Sequence, residues 1–67
     1  MTDTKNFLEN NMKSRRIEMG LSQRECAKKL GVSLVAYQNW EHGICSPKED
    51  KMNMICDLFG FNKEQIA

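Results

Sequence analysis

An all-α fold of five short helices is what this sequence predicts, and three observations carry the reading. Apolar residues recur at helical spacing, as in Met52, Ile55, Cys56 and Phe59 at offsets 0, 3, 4 and 7. Ser22, Ser46 and Asn62 each stand three residues ahead of a Glu or Gln (Glu25, Glu49 and Gln65), the spacing of a capped helix start. No alternating β-branched run and no Asn-Gly or Asp-Gly pair marks a strand or hairpin.

The first helix is expected from Lys5 to Met19, with Leu8, Met12 and Met19 on one face and Gly20 ending it. Ser22 and Glu25 form a capping box for the second, whose inner face is Cys26, Ala27 and Leu30. Ala27 is small, as a close helix crossing requires, and Gly31 stops the helix. After a four-residue turn, Ser33 caps the third helix, which runs to Glu41 or His42 before Gly43. Ser46 as cap, Pro47 at the first helical position and Glu49 at the third open the fourth helix, which ends at Gly60. Asn62 with Gln65 begins a short fifth.

The second and third helices, residues 22–42, have the form of a helix-turn-helix, whose second helix can enter the DNA major groove. Around the third helix, at about 100° per residue, Ser33, Ala36, Tyr37 and Trp40 cluster on one side. That larger, aromatic side is expected to be buried. Leu34, Val35, Gln38 and Asn39 then face outward. Asparagine and glutamine can pair with an adenine edge, and Leu or Val can touch a thymine methyl. Two exposed aliphatics also suit a protein partner.

Sixty-seven residues, 40% hydrophobic and 28% charged, fit one small globular domain spanning 1–67. No apolar run approaches the roughly 20 residues of a membrane span, and the N-terminus lacks a signal core, so a cytoplasmic location is expected. Cys26, Cys45 and Cys56 are odd in number without CxxC spacing, a poor match to disulfides, and Cys26 and Cys56 fall on apolar helix positions, which reads as core thiols. His42, Cys45 and Cys56 lack a fourth ligand for structural zinc. Neither metal nor cofactor is expected. One histidine, no Gly-rich phosphate loop and no clustered carboxylates leave nothing on which to build an enzyme.

A net charge of +1 looks neutral for a nucleic-acid partner, but it is unevenly spread. Residues 1–30 carry seven Lys or Arg against four acids (+3), and residues 31–67 three against five (−2). Position matters more than the total when phosphates are the partner.

The segments Met12 to Gln23, Ala27 to Ser33 and Trp40-Glu41-His42-Gly43, with Pro47 and Leu58-Phe59-Gly60-Phe61, resemble the lambdoid phage repressor and Cro family. This is a large group of helix-turn-helix regulators, and the likeness covers about residues 8–67. The resemblance implies a lambda repressor-like fold and sequence-specific binding of double-stranded DNA, with residues 33–41 in the major groove. It implies base contacts from Leu34, Val35 and Asn39, where this chain is apolar at two positions that are usually polar. It implies a phosphate or base contact from Gln23, with Ser22 beside it toward phosphate, a phosphate or minor-groove contact from Lys48, and a phosphate contact from His42. Arg16 and Glu41 match a pair that ties the first helix to the end of the third, and Arg16 can also meet a phosphate.

Such proteins usually act as dimers on palindromic sites. Phe61 and Ile66 are candidates for a homodimer surface, or equally for closing the monomer's core. A transcriptional regulator of a phage, mobile element or bacterium, acting as a repressor, is the expected function. The competing expectation is a protein-interaction module on the same fold, antitoxin-like, binding through Leu34 and Val35.

Overall fold

The computed structural model describes residues 4–62, which form four helices and no strand. They are α1 (Thr4–Glu18), α2 (Gln23–Leu30), α3 (Leu34–Glu41) and α4 (Glu49–Phe59). The fifth helix expected from Asn62 falls on residues 63–67, outside the described residues. Asn62 itself lies outside any helix.

Two of these helices are only eight residues long, and a lone helix of that length is marginal in water. Caps and burial hold them. At α2, the Ser22 side chain accepts from the Glu25 amide at 3.0 Å, while the Glu25 carboxylate accepts from the Ser22 amide at 3.0 Å. Gly31 closes the same helix at φ 71°, a left-handed conformation that costs glycine nothing. At α3 the Ser33 hydroxyl accepts from the Ala36 amide at 3.1 Å. Three residues, 31–33, join the two helices, one fewer than the sequence suggested.

The core gathers Leu8 and Met12 of α1, Cys26, Ala27 and Leu30 of α2, Tyr37 and Trp40 of α3, and Ile55 and Phe59 of α4. Each fully buried large side chain contributes about 1.5–3 kcal/mol, which outweighs the weak propensity of such short helices. α3 packs against both α2 and α1, so it is the central element. Phe61 lies against this core, its ring 5.2 Å from Phe7 in an edge-on contact and 5.5 Å from Phe59.

Several expectations need correction. Met19 is exposed, because α1 ends at Glu18 and Met19 belongs to the turn that Gly20 closes. On α3, Tyr37 and Trp40 are buried, but Ala36 is half-buried, Ser33 is exposed and Glu41 joins the buried side. α4 does not begin with a Ser46 box. Lys48 is the N-cap, extended at φ −72° and ψ 168°, with no side-chain cap bond. The buried residues of α4 are Ile55, Cys56 and Phe59, with Met52 partly buried against the core. Glu49 and Asp50 instead place negative charge at the helix start, where the macrodipole favours it.

Candidate nucleic-acid interface

The site is built around the end of α3. Glu41 is an ionisable residue in the core, its side chain 1% exposed, and Arg16 of α1 reaches it with a side chain 12% exposed. Arg16 Nε donates to Glu41 Oε2 at 3.0 Å and Nη2 to Oε1 at 3.1 Å. Its Nη1 donates to the Leu21 carbonyl at 2.9 Å. This two-pronged geometry suits a guanidinium and a carboxylate and fixes α3 against α1. These three bonds use three of the five guanidinium N–H groups and make Arg16 a structural partner of Glu41.

The electrostatics agree with the geometry. Burial alone pushes the Glu41 carboxyl upward, but the Arg16 hydrogen bonds, the nearby Tyr37 hydroxyl and the Gln23 amide outweigh it, so the carboxyl sits below the ordinary glutamate range. The hydrogen bond to Glu41 raises Arg16 further, against the opposing effect of burial. Both remain charged. Tyr37 is a different matter. Burial and then the Glu41 charge push its phenol well above the usual tyrosine range. Its hydroxyl lies near Glu41 and Cys26, buried and without a hydrogen-bond partner among the described residues.

A chain of amides leads from Glu41 to the surface. Gln23, the first residue of α2, donates from Nε2 to Glu41 Oε1 at 3.2 Å. Gln38 of α3 donates from Nε2 to Gln23 Oε1 at 3.1 Å. Arg16, Glu41, Gln23 and Gln38 thus form one polar file spanning α1, α2 and α3.

Around this file lie the other residues singled out from sequence. Val35 is 64% exposed, whereas Leu34, Gln38 and Asn39 are half-buried. Ser22 is exposed at the mouth of α2, where the first-turn amides of Gln23 and Arg24 have no partner within the helix. Glu25 already supplies one anion there, and its bonds from the Ser22 backbone and side chain lower its carboxyl. His42 is exposed at the C-cap of α3, and Lys48 is exposed at the N-cap of α4. His42, exposed Cys45 and buried Cys56 do not converge: among the described residues no group of three His, Cys, Asp or Glu could hold a metal.

Some functional neighbours were not visible in the sequence. Arg15 Nε donates to the Phe59 carbonyl at 2.8 Å and so closes the end of α4. Lys51 Nζ does the same for α2 at the Leu30 carbonyl, 2.9 Å away. Both are cations at helix C-termini, where the dipole favours them. Among the cations of residues 1–30, Arg16 is held inward by Glu41 and Arg15, though exposed, is tied to the Phe59 carbonyl, whereas Lys13, Arg24, Lys28 and Lys29 are exposed. No helix among the described residues is long and apolar enough to cross a membrane.

A capped α2, a three-residue turn and an α3 anchored beneath an outward face are the parts of a helix-turn-helix. The family model for the helix-turn-helix matches residues 12–66, and the chain belongs to that family, of the lambda repressor and Cro type. No curated protein and no solved structure matches it.

Proposed function

We propose that this chain is a sequence-specific binder of double-stranded DNA that represses transcription in a phage, mobile element or bacterium. α3 enters the major groove, with Leu34, Val35 and Asn39 toward base edges and Gln38 on the same face. Ser22, Gln23, His42 and Lys48 lie toward phosphates. The observation that carries the reading is the anchoring of α3. A buried ion pair and an amide chain hold it from α1 and α2, while its outer face carries Leu34, Val35 and Asn39. A helix presented so rigidly gives up little freedom on docking.

A homodimer on a palindromic site is part of the proposal, with half-sites about 34 Å apart. Phe61 is half-buried on the core beside Phe7 and Phe59, so only its outer part is open to a partner. Ile66 lies outside the described residues.

Val35 at 64% and Ile44 at 65% exposure favour a second reading, an antitoxin-like protein contact on the same fold. Salt separates the two, because phosphate-driven binding weakens steeply as salt rises and an apolar contact does not. Selection of bound sequences from a random duplex pool tests the first reading directly. A motif enriched by the intact protein and lost or altered with Asn39→Ala is the expected result. Absence of any enriched motif overturns it, and an identical motif with Asn39→Ala removes Asn39 from base reading.

A further inference from the structure

We propose that Gln38 is a positioning residue for Gln23, acting through an amide relay whose polarity the ionised Glu41 sets. The proposal rests on the DNA-binding reading above and refines what Gln38 does in it.

An ionised carboxylate accepts hydrogen bonds and donates none. Arg16 holds Glu41 in that form from the other side. A glutamine beside it must therefore turn its NH2 group inward, because its carbonyl would set two acceptors against each other. Gln23 does so, donating from Nε2 to Glu41 Oε1 at 3.2 Å. This fixes the Gln23 carbonyl toward α3, where it accepts from Gln38 Nε2 at 3.1 Å. The orientation of both amides is thus dictated by one buried charge rather than free to flip.

The consequence is a count of groups. Gln23 Oε1 is engaged by Gln38, and one Nε2 hydrogen is engaged by Glu41. What Gln23 has left on nitrogen is a donor, the group a phosphate oxygen requires. Gln38 keeps it so by occupying the carbonyl and removing rotamers that a long side chain would otherwise lose on binding. In this arrangement Gln38 raises affinity for any duplex, while base preference rests with its neighbours Val35 and Asn39.

A double-mutant cycle with Gln23→Met and Gln38→Met tests this, methionine keeping length and helix propensity. Binding is measured to the selected duplex and to a scrambled one. Each single variant is expected to weaken both by roughly three- to tenfold, the worth of one hydrogen bond. The double variant is expected to bind no more weakly than Gln23→Met alone. Base preference and salt slope stay unchanged, because glutamine carries no charge. Multiplying losses in the double variant, or a lost preference at one base pair in Gln38→Met, overturns the proposal.

The free protein supplies an independent readout. The Gln23 side-chain amide signals in a 15N spectrum are expected to shift in Gln38→Met, and unchanged signals overturn the relay whether or not DNA binds. Wild-type protein that binds no duplex sinks the DNA-binding reading and this phosphate role with it. Wild-type protein that binds but gives an additive cycle sinks the relay alone.

Discussion

Arg15 and Arg16 leave α1 one residue apart, about 100° around the helix, and end in different surroundings. Arg16 turns inward to a carboxylate 1% exposed and holds α3 in place. Arg15 stays 46% exposed, donates to the Phe59 carbonyl and meets Glu18, 66% exposed, at 3.2 Å. The residue type and the helix are shared. What differs is whether water can replace the partner. An exposed pair contributes about 0–1 kcal/mol because solvent screens it, whereas breaking a buried one strands a charge.

The sharpest way to break the comparison is to remove Arg16. Arg16→Ala leaves Glu41 buried without its counter-charge, at a cost of about 3–5 kcal/mol. For a domain this small, a Tm fall of at least about 12 °C is expected. DNA affinity should fall with it. An unchanged melting curve would sink the structural role of the pair. Replacing both partners, as Arg16→Met with Glu41→Leu, should recover much of the loss, since no charge is then left stranded.

Acid sharpens the same contrast. The folded Glu41 carboxyl lies below its ordinary value of 4.5, so its contribution is present above that value. It is lost as pH falls through the depressed folded pKa. In Arg16→Ala, burial acts on Glu41 without opposition from the guanidinium, so the carboxyl takes up a proton at higher pH. Thermal melts from pH 7 to pH 2 should show the wild type losing Glu41's contribution below 4.5, whereas the variant, whose stranded carboxylate is relieved by protonation, loses less over the same range and its deficit against the wild type narrows. Coincident profiles would contradict this account of Glu41.

Which parts of this were legible in the sequence follows from distance along the chain. The Ser22 box and the Gly31 stop lie within ten residues of one another and were readable as spacing. The buried placement of Tyr37 and Trp40 was readable as one helix face. The burial of Glu41 was not, because a lone acid gives no sign that an arginine 25 residues earlier will meet it; only the family resemblance suggested the pair. The Gln23–Gln38 bond joins residues 15 apart and depends on how α2 crosses α3. Arg15 and Lys51 close helices whose ends approach them only in the folded chain.

Arg15→Ala is the smaller counterpart to the Arg16 variant. It removes one hydrogen bond to the end of α4 and an exposed ion pair, so about 1 kcal/mol is expected. Urea unfolding checks it. A loss equal to that of Arg16→Ala would mean that burial does not separate the two arginines.

The smallest expected effect concerns the two serines that look alike in sequence. Ser22 and Ser46 both stand three residues before a glutamate, but only Ser22 makes both bonds of a box. Ser46 lies two residues before the Lys48 cap of α4, outside any helix. Ser22→Ala should cost about 1 kcal/mol, and Ser46→Ala should fall within about 0.5 kcal/mol of wild type. A loss at Ser46 comparable to that at Ser22 would mean that α4 starts earlier in solution, with Pro47 in its first turn. The two serines then become equivalent, and Glu49 stands at the third position of that helix rather than the first.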